Sequence, residues 1–195
     1  MHTIQPKENR ITVLGLCGSL RPGSYTRMAL QVALRTAQEA GAETRWLDLT
    51  EYQWMFCDGT LNENRLPPQV ERLRQEIQQA HGLILGTPEY HGSFSGVLKN
   101  ALDLLDGSEL KGKMVGLISV AGGALGGIDA LNGLRTICRS LHAWAIPEQV
   151  AIPEAWKVFD EKGAVQNTAL EKRLQEVGHQ VVQYARLHVS ANLLT

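Results

Sequence analysis

The sequence predicts an α/β protein in which a five-stranded parallel sheet lies between two layers of helices. Two observations support this three-layer fold class. Apolar runs of strand length alternate with segments of helical apolar periodicity along nearly the whole chain. Five strands interleaved with five helices imply a parallel sheet that helices cover on both faces. Because crossover connections are right-handed, few strand orders remain, and 2-1-3-4-5 is the first choice.

The individual elements follow from apolar spacing and from residues that start or stop a helix. Strands are predicted at residues 11–17, 43–49, 83–86, 114–120 and 144–152, the last of them open to interruption at Pro147. Helices are predicted at residues 26–40, 67–80, 95–105, 128–141 and 170–181. Gly41 ends the first helix, and Pro67 opens the second.

Composition and charge exclude several classes of protein. At 195 residues, the chain is predicted to form one domain, residues 1–195, with a flexible N-terminus over residues 1–10. A net charge of −1 gives no general attraction to nucleic acid or to a membrane surface. No apolar run is long enough to cross a bilayer, and residues 1–10 lack a signal-peptide pattern. Three dispersed cysteines indicate no disulfide framework and no metal site, so a cytoplasmic location is expected.

The loop after the first strand, residues 18–26, is here called the phosphate loop. Ser19, Ser24 and Thr26 offer hydroxyl groups, Arg21 offers charge, and a helix begins at once. Backbone N–H groups at a helix start bind anions well. The loop lacks the Lys-Ser/Thr ending of a nucleotide triphosphatase loop and the glycine spacing of a dinucleotide fingerprint. A single terminal phosphate, such as that of FMN, fits best, while an ordinary turn capped by Ser24 is the alternative.

Two further loops are predicted to reach the same edge of the sheet. Residues 87–96, here called the Pro88 loop, contain Tyr90, which offers an aromatic face, a histidine and two glycines. Residues 121–127, here called the glycine loop, contain four glycines, whose backbone allows close approach to a ligand. Ligands of such sheets bind beyond the carboxyl ends of the strands. The alternatives to a ligand-binding role are that Tyr90 packs against the protein, that His91 is a surface residue and that the glycine loop is only flexible.

Two motifs together resemble the NADPH-dependent FMN reductases, a family with azoreductase-, quinone reductase- and chromate reductase-like members. The first is Gly18-Ser19-Leu20-Arg21-x-x-Ser24-x-Thr26. The second runs from Pro88-Glu89-Tyr90-His91-Gly92-Ser93 into Leu98-Lys99-Asn100-Ala101-x-Asp103. The resemblance covers roughly residues 10 to 185, and it implies a flavodoxin-like fold that holds FMN without a covalent bond.

The resemblance also implies the residues of the binding site. Ser19, Arg21, Ser24, Tyr25 and Thr26 match the family's phosphate loop, and Pro88, Glu89, Tyr90, His91, Gly92 and Ser93 match the loop along the isoalloxazine ring. Ser119, Gly122 and Gly123 match the loop near the pyrimidine side of the ring. The family often has Asn in place of His91 and of Thr26. Thr26 keeps a hydroxyl donor, whereas His91 alters the contacts of the ring.

The implied activity is hydride transfer from NADPH or NADH to bound FMN, followed by transfer of two electrons to a small acceptor. Quinones, free flavins, azo compounds and metal oxyanions are candidate acceptors. No side chain is required as the catalyst, although His91 and Tyr90 are possible aids, and the amides of Gly122 and Gly123 would stabilise negative charge on the ring. A flavodoxin-like electron carrier and a flavin-based sensor remain alternatives.

A homodimer or homotetramer is expected, because the family is usually oligomeric and because the segment from Tyr52 to Phe56 is strongly apolar. The same segment could instead pack under its own loop. The other implied partners are small molecules, with no nucleic acid and no membrane.

Overall fold

One sheet with five parallel strands organises the computed structural model, which describes residues 10–52, 55–60 and 66–192. The parallel strands are β1 (Thr12–Cys17), β2 (Glu43–Leu47), β3 (Gly82–Tyr90), β5 (Met114–Val120) and β6 (Trp144–Ile152), and a two-residue strand β4 (Ser93–Phe94) pairs antiparallel with β3. The order is β2-β1-β3-β5-β6. Taken in chain order, the five parallel strands lie 2-1-3-4-5, so the predicted flavodoxin-like fold class is confirmed.

Helices cover both faces of this sheet. They are α1 (Tyr25–Glu39), α2 (Pro68–Gln79), α3 (Gly96–Asp103), α4 (Ile128–Ser140), α5 (Ala155–Val158) and α6 (Thr168–Asn192). On one face, α1 and α6 pack against side chains such as Val13 and Ile84. On the other face, α2, α3 and α4 pack against the alternate positions, such as Leu14 and Leu83. Within the described ranges, no helix has the length and apolarity needed to cross a membrane.

The structure extends β3 beyond its predicted end at residue 86. Thr87 and Pro88 still pair with Ser119 and Val120 of β5, so the strand carries the start of the Pro88 loop to the edge of the sheet. The second strand is shorter than predicted, because Asp48 accepts a hydrogen bond from the N–H of Thr50 and caps a 3₁₀ helix, Leu49–Glu51. Residues 1–9 of the predicted flexible N-terminus lie outside the described residues.

Pro147 does not end β6, although it disturbs the pairing. Val115 pairs with Ala145 and Leu117 with Gln149, so β6 bulges at Pro147, which has no N–H to donate. On the outer side of the bulge, the Arg135 guanidinium donates to the carbonyl oxygens of Ile146 and Pro147 at 2.8 and 3.0 Å. Arg173 donates to the carbonyl oxygen of Gln149 at 2.6 Å. Arginine side chains therefore occupy the outer edge of this strand.

A histidine on the opposite end of the sheet gives the fold a pH dependence. The backbone N–H of Thr12 donates to Nδ1 of His81 at 3.0 Å, which requires the neutral imidazole. Burial, with a smaller effect of the Lys113 charge, lowers the pKa of His81 from its usual value of 6.5. The unfolded chain therefore takes up this proton more readily, and the contribution of His81 to stability is lost as the pH falls below about 6.5.

We therefore expect His81→Asn to flatten the pH dependence of stability, because an amide oxygen can accept the same bond without titrating. Urea unfolding at pH 7.5 and pH 5.5 measures this. The wild type should lose more free energy of unfolding than the variant between the two pH values. Equal losses would show that the Thr12–His81 bond does not titrate.

Candidate active site

A cleft of about 410 Å³ opens at the carboxyl ends of β1, β3 and β5. Its walls come from the three loops that the sequence singled out and from the start of α5. The lining residues are Ser19, Arg21, Ser24, Tyr25, Thr26, Pro88, Glu89, Tyr90, Val120, Ala121, Gly122, Ala155 and Trp156. A second cleft of about 310 Å³ adjoins it and shares Glu89, Ala121 and Gly122.

The phosphate loop ends in a cluster of hydrogen-bond donors. Ser24 caps α1 by accepting from the N–H of Arg27 at 3.4 Å, which begins the helix at Tyr25. Ser19 and Thr26 are 4% and 2% exposed, yet within the described ranges their hydroxyl groups make no hydrogen bond. The first N–H groups of α1 lack partners within the helix for geometric reasons. Unpaired hydroxyl and N–H donors on residues that line a cleft are suited to an anionic ligand.

Two cations lie in or next to this loop, Arg21 within it and Arg27 in the first turn of α1, and Arg21 is the one available to a ligand. The guanidinium of Arg27 is held by both carboxylate oxygens of Asp48, at 2.9 and 3.1 Å, and lies 4.9 Å from the Trp46 ring centroid. The hydrogen bonds from Arg27 lower the pKa of Asp48 to about 2. Arg21 forms no ion pair among the described residues and lies over the Tyr25 ring at 5.7 Å. Its charge therefore adds to the donors of the phosphate loop.

The Pro88 loop is a tight hairpin that is fastened to the phosphate loop. Its two central residues, His91 and Gly92, have φ values of 52° and 75°. Two-residue hairpin turns with positive φ at both positions favour Asn-Gly, so this geometry accounts for the family's Asn at position 91, and histidine also tolerates the conformation. Ser95 donates through Oγ to the carbonyl oxygen of Gly18 at 2.7 Å. The two loops are thereby held in a fixed relation.

Hydrogen bonds from Ser119 of β5 and from the backbone at the start of α5 hold the glycine loop. Ser119 is fully buried and donates through Oγ to the carbonyl oxygen of Gly126 at 2.8 Å. The carbonyl oxygens of Ala121 and Gly123 accept from the N–H groups of Ala155 and Glu154, each at 3.2 Å.

A trans peptide holds its C=O and the following N–H antiparallel. The N–H groups of Gly122 and Ala124 therefore point away from α5. That direction leaves them available to a ligand on the other side of the loop.

The two clefts gather most of the residues that the sequence singled out. Ser19, Arg21, Ser24, Tyr25, Thr26, Pro88, Glu89, Tyr90 and Gly122 line the main cleft. His91, Gly92 and Gly123 line the second cleft. Ser93 lies in β4 opposite Tyr90, and Ser119 lies beneath the glycine loop, so neither lines a cleft.

Sequence reasoning did not anticipate the wall formed by Ala155 and Trp156. Trp156 is 60% exposed and lines the main cleft, with Nζ of Lys157 4.8 Å from its ring centroid. A signal was present in the sequence, because this segment follows the fifth strand and the carboxyl ends of all the parallel strands meet at one edge. Val120, the last residue of β5, was also missed, although it adjoins the glycine loop.

A flavodoxin-like sheet whose strand ends carry a donor-rich loop beside a glycine-lined cleft is typical of the class of FMN-binding flavoproteins. Within that class, the chain belongs to the NADPH-dependent FMN reductase family, whose sequence model matches residues 11–157. Family membership confirms the resemblance read from the two motifs. It also confirms FMN as the cofactor, NADPH as the electron donor and the oxidoreductase class.

Two curated relatives and one solved structure show how far the similarity extends. An NADPH azoreductase of Bacillus sp. (strain OY1-2) is 47% identical over 83 residues, which are 43% of this chain and 47% of that protein. An FMN-dependent NADPH-azoreductase of Staphylococcus aureus (strain USA300) is 35% identical over 152 residues, 76% of this chain and 80% of that protein. FerB, a flavoenzyme NAD(P)H:(acceptor) oxidoreductase from Paracoccus denitrificans, shares the fold with a TM-score of 0.75. It is 24% identical, and the match covers 91% of this chain and 98% of that one.

Proposed function

We propose that this protein uses NAD(P)H to reduce small organic acceptors, azo compounds and quinones first, through FMN held across the two clefts. The observation that carries the proposal is a pair of buried residues, Ser19 and Thr26, which line the cleft together with Arg21 and whose hydroxyl groups have no partner among the described residues. They fit the phosphate group of FMN. The chemistry that FMN supplies when bound is acceptance of a hydride and delivery of two electrons.

The second cleft fits the flat ring system of the same cofactor. A Cβ atom built at Gly92, Gly122 or Gly123 meets no heavy atom of the described chain within 4 Å, so the backbone here borders open space. The N–H groups of the glycine loop can donate to ring carbonyl oxygens and stabilise negative charge there. The Pro88 loop closes the opposite side. Residues 88–92 and 122–124 would thus bind and orient the ring.

The chain leaves one aromatic wall open for the substrates. Tyr90 is 55% exposed at the rim of the main cleft, where its ring can stack on a planar molecule. Planar azo compounds and quinones suit such a wall better than compact metal oxyanions do. The two azoreductase relatives support azo compounds among these acceptors.

Anaerobic titration of the purified protein tests this function. The protein should be yellow, and one equivalent of NADPH should bleach it. Adding an azo dye or a quinone should then restore the colour. Stopped-flow reduction separates a reductase, which NADPH reduces rapidly, from an electron carrier, which it barely reduces. A colourless protein that does not bind added FMN would contradict the proposal.

We also propose that the protein forms a homo-oligomer through the apolar segment after β2. Gln53 and Trp54 of this segment lie outside the described residues. Tyr52 is buried, whereas Met55 and Phe56 are 38% and 86% exposed. Asn100 supports the exposed pair from α3. Its side chain donates to the carbonyl oxygen of Met55 at 2.9 Å and accepts from the N–H of Cys57 at 3.0 Å.

Phe56→Ser is therefore expected to shift the protein towards monomer in light scattering at micromolar concentration, because it removes an exposed apolar contact. Leu187→Ser, on α6, is the matched control, since Leu187 is also exposed but lies on another surface. A monomeric wild type would contradict the proposal. So would an equal shift in both variants.

A further inference from the structure

The side chain of Glu89 connects the Pro88 loop to the helix that follows the glycine loop. It lies in β3 and lines both clefts. Its Oε2 accepts a hydrogen bond from the backbone N–H of Ala130 at 3.1 Å, across 41 residues of sequence. Ala130 is the third residue of α4, the helix that follows the glycine loop. The carboxylate of Glu89, which belongs to strand β3, therefore caps the first turn of helix α4.

Helix α4 needs this external cap because its own capping residue is a glycine. Gly127 has a φ of 85° and no side chain to bond the first turn. A Cβ atom there would lie 2.8 Å from Oγ of Ser119 and 3.3 Å from Cβ of Glu89. The close packing and the positive φ both exclude the serine, threonine or aspartate that usually caps a helix. Glu89 reaches the first turn from outside instead.

The cap also fixes the last part of the glycine loop. The beginning of the loop is held by the bonds from the N–H groups of Ala155 and Glu154. Its end is held by Ser119, which bonds Gly126, and by Glu89, which bonds Ala130. Only Glu89 among these side chains also lines the clefts. Its carboxylate is therefore close to where the flavin ring is placed by the proposed function.

We propose that Glu89 is a positioning residue of the redox site, one that aligns the glycine-loop amides with the Pro88 loop and lowers the reduction potential of the bound flavin. The first effect comes from the hydrogen bond to Ala130. The second comes from negative charge, which opposes the added negative charge of a reduced ring at short range in a partly buried site. The redox effect depends on the proposed function, whereas the alignment of the loop does not.

Hydrogen–deuterium exchange on FMN-free protein tests the alignment alone. Glu89→Ala should speed exchange of the Ala130 amide and of residues 122–130 by about tenfold, as loss of a helix cap does. Glu89→Gln keeps an acceptor oxygen and should restore most of the protection. Glu39→Gln, at an exposed position of α1, controls for loss of a charge. Unchanged exchange in Glu89→Ala would overturn the positioning role.

The reduction potential of the FMN-loaded variants tests the electrostatic effect, which a purely structural cap would not produce. Glu89→Gln should raise the potential relative to wild type and to Glu39→Gln, while it keeps the FMN dissociation constant within about twofold of wild type. Glu89→Ala should weaken FMN binding by about tenfold. An unchanged potential in Glu89→Gln would overturn the redox role. A wild type that binds no FMN would overturn the proposed function and this redox role together, and the exchange result would still decide the alignment.

Discussion

Gly178→Ala is expected to lower the free energy of unfolding by about 3 kcal/mol, which is in the upper part of the range for substitutions that overpack a core. Gly178 lies on α6 where this helix crosses α1. A Cβ atom at this position would collide with the carbonyl oxygen of Ala33 and lie 3.0 and 3.2 Å from Ala33 C and Ala37 N. These are backbone atoms of a helix, so the clash cannot be relieved by a change of side-chain rotamer. The added methyl group must push the two helices apart. Urea unfolding measures the loss.

The matched control for this substitution is Gly96→Ala. Gly96 also lies in a helix, α3, but a Cβ atom there has no heavy atom within 4 Å among the described residues. Alanine should leave stability unchanged or raise it slightly, because it favours the helix more than glycine does. Similar losses in the two variants would show that the crossing of α1 and α6 is not as close as the structure places it.

Arg21→Ala is expected to raise the FMN dissociation constant by about thirtyfold, which corresponds to about 2 kcal/mol for hydrogen bonds to a charged group. Arg21 is the cation of the phosphate loop and has no ion pair among the described residues, whereas the nearby Arg27 of α1 is bound by Asp48. Riboflavin lacks the phosphate group, so its dissociation constant should not change. Fluorescence titration of the FMN-free protein with both ligands measures the difference.

Arg35→Ala provides the control for that experiment, because Arg35 is an exposed arginine of α1, the helix that follows the phosphate loop, and it does not line the cleft. It should leave both dissociation constants unchanged. If Arg21→Ala weakened riboflavin and FMN equally, Arg21 would contact the rest of the cofactor or support the loop instead of binding phosphate.

The fold was largely predictable from local patterns in the sequence. Alternating apolar runs mark each parallel strand, and the right-handed crossover rule limits their order, so the positions of the three loops follow. Strand ends were predicted less well. The extension of β3 through Thr87 and Pro88 depends on pairing with Ser119 and Val120, more than 30 residues away, and no local pattern reports such a pairing.

For the candidate site, the sequence predicts which residue types come together, but it does not predict which hydrogen bonds each side chain makes. Ser19 and Thr26 have the hydroxyl groups that a phosphate site calls for, and both residues line the cleft. Ser119 also has a hydroxyl group, but this group donates its hydrogen bond to the carbonyl oxygen of Gly126 beneath the glycine loop. It is therefore not available to a ligand. The cap that Glu89 supplies to Ala130 spans 41 residues, so it becomes visible only once the chain is folded.

The bulge at Pro147 has a consequence for how the protein behaves in a crowded solution. β6 is the last strand of the sheet, and an exposed outer strand is a template onto which another chain can add by backbone pairing. Here the outer carbonyl oxygens of Ile146, Pro147 and Gln149 are already bonded to Arg135 and Arg173, and proline offers no donor. Two arginines and a proline therefore protect this border of the sheet against aggregation.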